Sequence, residues 1–102
     1  MDTSAISDIA ENAAQAEKLL KSISNKYRLM ILCHLGENEM SVSELNDKID
    51  LSQSALSQHL AKLRNEGLVS TTRYSQTIYY RIANPVALKI IQVLYDEFCG
   101  DA

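Results

Sequence analysis

Two helix-start signals, Ser41 and Ser52, lie so close together that they constrain this chain more than any other feature. The run SVSEL contains S-x-x-E, a capping box: the Ser41 hydroxyl takes the amide of Glu44, and the Glu44 carboxylate takes the amide of Ser41. It opens a short helix through Ile49. Leu51 marks a turn, Ser52 caps a second helix, and Gly67 stops it. Two helices with so little chain between them form a tight helix-turn-helix over residues 41–67.

The flanking sequence supplies the rest. Ile6, Ile9, Ala10, Ala13, Ala16, Leu19, Leu20 and Ile23 recur at three- and four-residue spacing and predict an amphipathic helix over residues 5 to 23. Asn25 caps a second helix that ends at Gly36. Tyr27, Leu29, Met30, Ile31, Leu32, Cys33 and Leu35 make it apolar nearly all round, so it belongs at the centre. After Gly67 the period changes to two. LVSTTRYSQTIYYRI sets Val69, Thr71 and Arg73 against Ile78, Tyr80 and Ile82, a hairpin whose tip lies near Tyr74, Ser75 and Gln76. Asn84 and Pro85 then cap and start a last helix with apolar residues on more than one face. The expected fold is mainly α with a small β-hairpin, in the order α-α-α-α-β-β-α. It is a winged helix-turn-helix spanning residues 1–102 as one domain, with the wing at 68–83.

Composition excludes other classes. At 102 residues the chain supports one modest core, and the apolar residues of its first and last helices exceed what a monomer of this size buries well. No run approaches the roughly 18 apolar residues of a membrane span, and the N-terminus is no leader, so a soluble, cytoplasmic protein without a membrane partner is expected. With three glycines, no phosphate loop and no nucleophile elbow, the chain does not read as an enzyme. The net charge of −3 argues against nucleic acid only when averaged. Residues 51 to 82 hold Lys62, Arg64, Arg73 and Arg81 against Glu66 alone, a basic segment in an acidic chain, and a polyanion would bind there.

The helix after Ser52 refines that expectation. Ala55, Leu56, Leu60 and Leu63 share one side, while Gln53, Ser54, Ser57, Gln58 and Ala61 share the other. Short hydroxyl and amide side chains allow close approach to a DNA groove and bond base edges. Lys62, Arg64, Arg73 and Arg81 suit phosphates, and Tyr74 and Gln76 at the hairpin tip are further contacts. His59, beside Leu56, Leu60 and Leu63, reads as a packed histidine. The same polar stripe also fits a plain solvated surface, in a helical interaction module without DNA binding.

SVSEL, LSQSALSQHLAKLRNEGLV and QTIYYRI, in that order, resemble the ArsR/SmtB family of bacterial winged-helix regulators over about residues 15 to 99. The resemblance implies a homodimer through residues 1–24 and 84–102. It also implies double-stranded DNA as partner, an imperfect palindromic operator, and an inducer that changes affinity. Metal-sensing members carry Cys-x-Cys before the recognition helix, or Asp, His and Glu along the last helix. Here those places read SELNDKID and PVALKIIQVLYDEFC, without a thiol pair or histidine, and no metal or cofactor is expected.

From the residues alone, Cys33 is a small buried hydrophobe and Cys99 a tail residue, or the two are a reactive pair. Their placement is similar to that of the HlyU/BigR-like branch, which implies a persulfide and redox sensor linking both thiols within a subunit. A regulator that binds DNA without thiol sensing is the alternative. Asp96, Glu97 and Asp101 disfavour a thiolate at Cys99, so Cys33 is expected to attack first, with Cys99 resolving.

Overall fold

The computed structural model describes residues 3–100, with side chains from residue 8 onward. Ile6 and Asp101, both invoked above, lie outside the described side chains. The elements run α1 (Thr3–Ile23), α2 (Lys26–Leu35), β1 (Met40–Ser41), α3 (Val42–Lys48), α4 (Gln53–Asn65), β2 (Val69–Tyr74), β3 (Thr77–Ile82) and α5 (Pro85–Phe98).

Each expected cap forms. Asn25 Oδ1 accepts from the amides of Tyr27 and Arg28 at 3.0 and 3.1 Å, fixing the start of α2 just after α1 turns off. Arg28 Nε donates to the Ser22 carbonyl at 2.6 Å, so α2 satisfies an orphan acceptor at the C-terminus of α1. Both arms of the Ser41–Glu44 capping box are present. Asn46 Nδ2 donates to the Leu51 carbonyl at 2.8 Å and holds the turn into α4, where Ser52 Oγ accepts from the Ala55 amide. Helix α4 ends in a Schellman arrangement. The Gly67 amide reaches Arg64 O, the Leu68 amide reaches Leu63 O, and Gly67 takes φ +77°, with Leu63 and Leu68 both buried.

The hairpin has the alternating register that the sequence implies: Val69 faces Ile82, Thr71 faces Tyr80 and Arg73 faces Ile78. Its two-residue tip puts Ser75 at φ 59°, a conformation for which glycine is the usual choice. The sheet differs from expectation by one strand. Met40–Ser41 pairs antiparallel with β3, Met40 opposite Tyr80 and Ser41 opposite Tyr79, giving three strands in the order β1-β3-β2. Two residues are too few to show an alternating pattern, and their partner strand lies far along the chain. Ser41 thus serves both as sheet residue and as helix cap.

The core is built around α2. Ile31, Leu32 and Leu35 are wholly buried, as are Leu56, Leu60 and Leu63 of α4 and Leu45 of α3, joined by Ala87 and Ile91 of α5. Not every apolar residue is used. Phe98 is 79% exposed and Val93 66%, and Ile9, Leu20, Val86 and Tyr95 are also open. The outer faces of α1 and α5 therefore present apolar surface of the kind a monomer rarely leaves to water.

Candidate nucleic-acid interface and thiol cleft

Helix α4 separates its two faces cleanly. Gln53, Ser54, Ser57, Gln58 and Ala61 are all exposed, opposite the buried Leu56, Leu60 and Leu63. Arg64, exposed and two turns beyond Ser57, continues the same line. The wing adds Arg73, Tyr74 and Gln76, all exposed. Arg73 Nε donates to the Ser75 carbonyl at 3.1 Å, which steadies the tip, and Tyr74 meets Tyr79 edge to face at 5.5 Å.

Two other cations are engaged within the fold. Lys62 Nζ lies 3.0 Å from Glu66 Oε1, and Glu66 also accepts from Ser22 Oγ of α1. The Ser22 hydroxyl and then the Lys62 ammonium hold the Glu66 carboxyl below its ordinary range. Arg81 bonds Ser70 Oγ at 3.1 Å and approaches Glu39 Oε1 at 3.7 Å, bracing β3 against β2 and the approach to β1. Lys62 and Glu66 have the i,i+4 spacing that a helix brings together, so that pair was legible. The Ser22–Glu66 and Arg81–Glu39 contacts cross between elements and had no local signal. His59 is half-buried against the Tyr27 ring, 6.2 Å between centroids, and burial with Arg28 nearby lowers its pKa. It packs α4 onto α2.

The two thiols share a cleft between α2 and α5. Cys33, half-buried on α2, and Cys99, exposed at the C-cap of α5, line one cleft of about 400 Å³ with Met30, His34 and Tyr95. The Cys99 amide bonds the Tyr95 carbonyl at 2.8 Å, which fixes the chain where the helix ends. Burial pushes the Cys33 thiol up, and the nearby Cys99 adds to the shift. The raised Cys33 pKa and the exposure of Cys99 favour Cys99 as the first to meet a reagent, where the sequence alone pointed to Cys33. Among the described residues no group of three or more His, Cys, Asp or Glu is placed to hold a metal ion.

Among known proteins, the family model for bacterial regulatory proteins of the arsR family matches residues 25–71, from the α2 cap into β2. Transcriptional activator HlyU of Vibrio cholerae serotype O1 is 45% identical over 94 residues, covering 92% of this chain and 87% of that protein. The chain belongs to the arsR family. Its winged-helix fold matches that of reduced HlyU from Vibrio cholerae at a TM-score of 0.87, 46% identity and 90% and 97% coverage of the two chains. The transcriptional repressor BigR from Xylella fastidiosa matches at 0.83, 40% identity and 91% and 92% coverage. These arsR relatives are transcriptional regulators and not enzymes, one named an activator and the other a repressor. Among the described residues no helix is long and apolar enough to cross a membrane.

The raised Cys33 thiol has a direct consequence. In the reduced protein, an alkylating reagent should modify Cys99 first at about pH 7, and the Cys33 rate should still be climbing at about pH 9, because a raised pKa delays thiolate formation. Peptide mass mapping over time reads both rates. A Cys33 rate that exceeds the Cys99 rate at neutral pH would contradict this ordering.

Proposed function

We propose that this arsR-family chain is a homodimeric, DNA-binding transcriptional regulator whose affinity for an imperfect palindromic operator is set by the oxidation or persulfidation of Cys33 and Cys99. The observation that carries the sensing half is that the chain's two cysteines, far apart in sequence, line one cleft between α2 and α5. The open apolar faces of α1 and α5 support the dimer, and a monomer by sedimentation at binding concentrations would contradict it. The uncharged stripe on α4 supports base readout, with Arg64 and Arg73 as phosphate contacts and Tyr74 and Gln76 at the wing. Lys62, tied to Glu66, contributes less than its charge suggests.

The chemistry with inorganic polysulfide balances. The Cys99 thiolate attacks the central sulfur of HS–S–SH, forming Cys99–S–S–SH and expelling hydrosulfide. Cys33 then attacks the middle sulfur of that chain and expels a second hydrosulfide. Two thiols are oxidised to a three-sulfur bridge, the polysulfide is reduced to two molecules of hydrogen sulfide, and the two thiol protons leave with them. A direct disulfide needs Cα atoms roughly 4.4–6.8 Å apart, and an added sulfur relaxes that limit. The bridge ties α2 to α5. Because α2 also carries Tyr27, whose ring lies tilted against His59 of α4 at 6.2 Å between centroids, a shift of α2 moves the recognition helix. Two recognition helices must match half-sites about one DNA turn apart, so a small displacement weakens binding.

Polysulfide should release the wild type from its operator, Cys33→Ser and Cys99→Ser should each stay bound, and intact mass should show an intrasubunit bridge. A loss of about 1.4 kcal/mol is enough for a tenfold change. Equal release of all three proteins, or tight binding by a fully bridged dimer, would return the cysteines to packing and leave a regulator without thiol sensing.

Readout and positioning separate by sequence dependence. Gln53→Ala or Ser57→Ala should cost about 1–3 kcal/mol on the operator and little on random DNA. Arg73→Ala should weaken both DNAs alike and flatten the salt dependence. Matching profiles for Ser57→Ala and Arg73→Ala across DNA sequences would overturn the assignment of the two surfaces.

A further inference from the structure

The cleft that holds the thiols shares two of its lining residues with a neighbouring hollow. Cys33 and Tyr95 also bound a second hollow of about 400 Å³, whose polar walls are Glu37, Asn38, Gln92 and Asp96. A space of that volume is on the order of one Debye length across, ~8 Å at physiological salt, so charges on its wall act on a reagent that reaches Cys33, and Asp96 lies one helical turn before Cys99 on α5.

Those charges are all of one sign. Glu37 accepts a hydrogen bond from Gln92 Nε2 at 3.3 Å, which holds its carboxylate at the wall, and Asp96 is exposed one turn from Gln92 on α5. Neither carboxylate has a Lys or Arg partner among the described residues. The last turn of α5 carries no basic residue, so its carbonyl end adds negative potential beside Cys99. His34 is the lining group that could oppose this, and burial, then the Lys48 charge, lower its pKa and so favour the uncharged imidazole. Lys48 itself lines neither hollow.

We infer that the mouth of the thiol cleft selects its sulfur carrier by charge, favouring amine-bearing and uncharged polysulfides over carboxylate-bearing ones, with Glu37 and Asp96 as the specificity-determining residues. This rests on the thiol-sensing reading for its effect on DNA, whereas the selectivity itself is a property of the cleft. With a symmetrical organic trisulfide the reaction is 2 Cys–SH + RS–S–SR → Cys–S–S–S–Cys + 2 RSH. Cys99 expels the first RS⁻ from the central sulfur, Cys33 expels the second, and each leaving thiolate takes a thiol proton. R changes in charge, and with it in the leaving ability of its thiolate, so rates are compared after the intrinsic reactivity is divided out. Inorganic polysulfide, itself anionic, belongs to the slower class.

Three trisulfides of similar size make the test, those of cysteamine, 2-mercaptoethanol and 3-mercaptopropionate, reacted with the full-length reduced protein. Bridge formation is followed by intact mass, and each rate is divided by that of a neutral reference thiol, N-acetylcysteine amide, to remove intrinsic reactivity. The expected order is ammonium, then neutral, then carboxylate, with a span of about tenfold at low salt. Glu37→Gln/Asp96→Asn should shrink that span to about threefold or less. So should ~1 M salt, where the Debye length falls to ~3 Å. If the double variant loses its circular dichroism spectrum, Asp96→Asn alone and the salt series carry the same comparison. Equal normalised rates in the wild type, or a span unchanged both by neutralising the wall and by salt, would overturn the inference. A charge order that persists while no trisulfide releases operator DNA would instead overturn thiol sensing and leave the selectivity standing.

Discussion

Everything in this fold leans on the burial of α2. Ile31, Leu32 and Leu35 lose all contact with water, and Leu56, Leu60 and Leu63 of α4 and Ile91 of α5 close the core around them. Burying a leucine or isoleucine fully contributes about 1.5–3 kcal/mol, so these few side chains dominate a domain of this size. Because α4 is seated by its leucines and by the Tyr27–His59 contact, the direction of its polar face follows from how α2 packs. The same helix places Cys33 against α5 and, through Arg28, caps α1. Residues of α2 thus contact the helix of the candidate DNA surface, line the thiol cleft and hold the end of α1.

What was legible in the sequence was local. Asn25, Ser41 with Glu44, Ser52 and Asn84 each act within three residues of themselves, and every one caps the helix it was expected to cap. The hairpin register followed from an alternation that runs unbroken on both sides of its tip. Contacts decided by packing between elements were not legible. The β1 strand exists because β3 arrives beside it, Glu66 is held because α1 lies over the end of α4, and Cys33 is shielded because α5 covers one face of α2. The meeting of Cys33 and Cys99 was reached through family resemblance, since nothing in the spacing of two distant thiols dictates that they share a cleft.

Charge is divided between two regions of the surface. The chain is acidic overall, yet its middle segment is basic, and within it Lys62 and Arg81 are drawn into intramolecular pairs. That leaves Arg64 and Arg73 with no carboxylate partner among the described residues, one continuing the polar line of α4 and the other at the wing. Two of the acids, Glu37 and Asp96, line the hollow beside the thiol cleft. A surface suited to a polyanion and one suited to a cationic or neutral reagent are thus built from different residues, the first from α4 and the wing, the second from Glu37 and α5.

The most direct measurement of the proposed coupling is the distance between the two recognition helices. A nitroxide carried on a ketone-bearing amino acid in place of Ala61, exposed on α4, reports it by pulsed electron resonance without touching either thiol. In the reduced dimer one dominant distance is expected, on the order of a DNA turn, ~34 Å, and the bridged form should shift or broaden it by several ångströms, about what mismatch to paired half-sites requires. The same distance distribution in the reduced and fully bridged protein would contradict the coupling between thiol cleft and recognition helix.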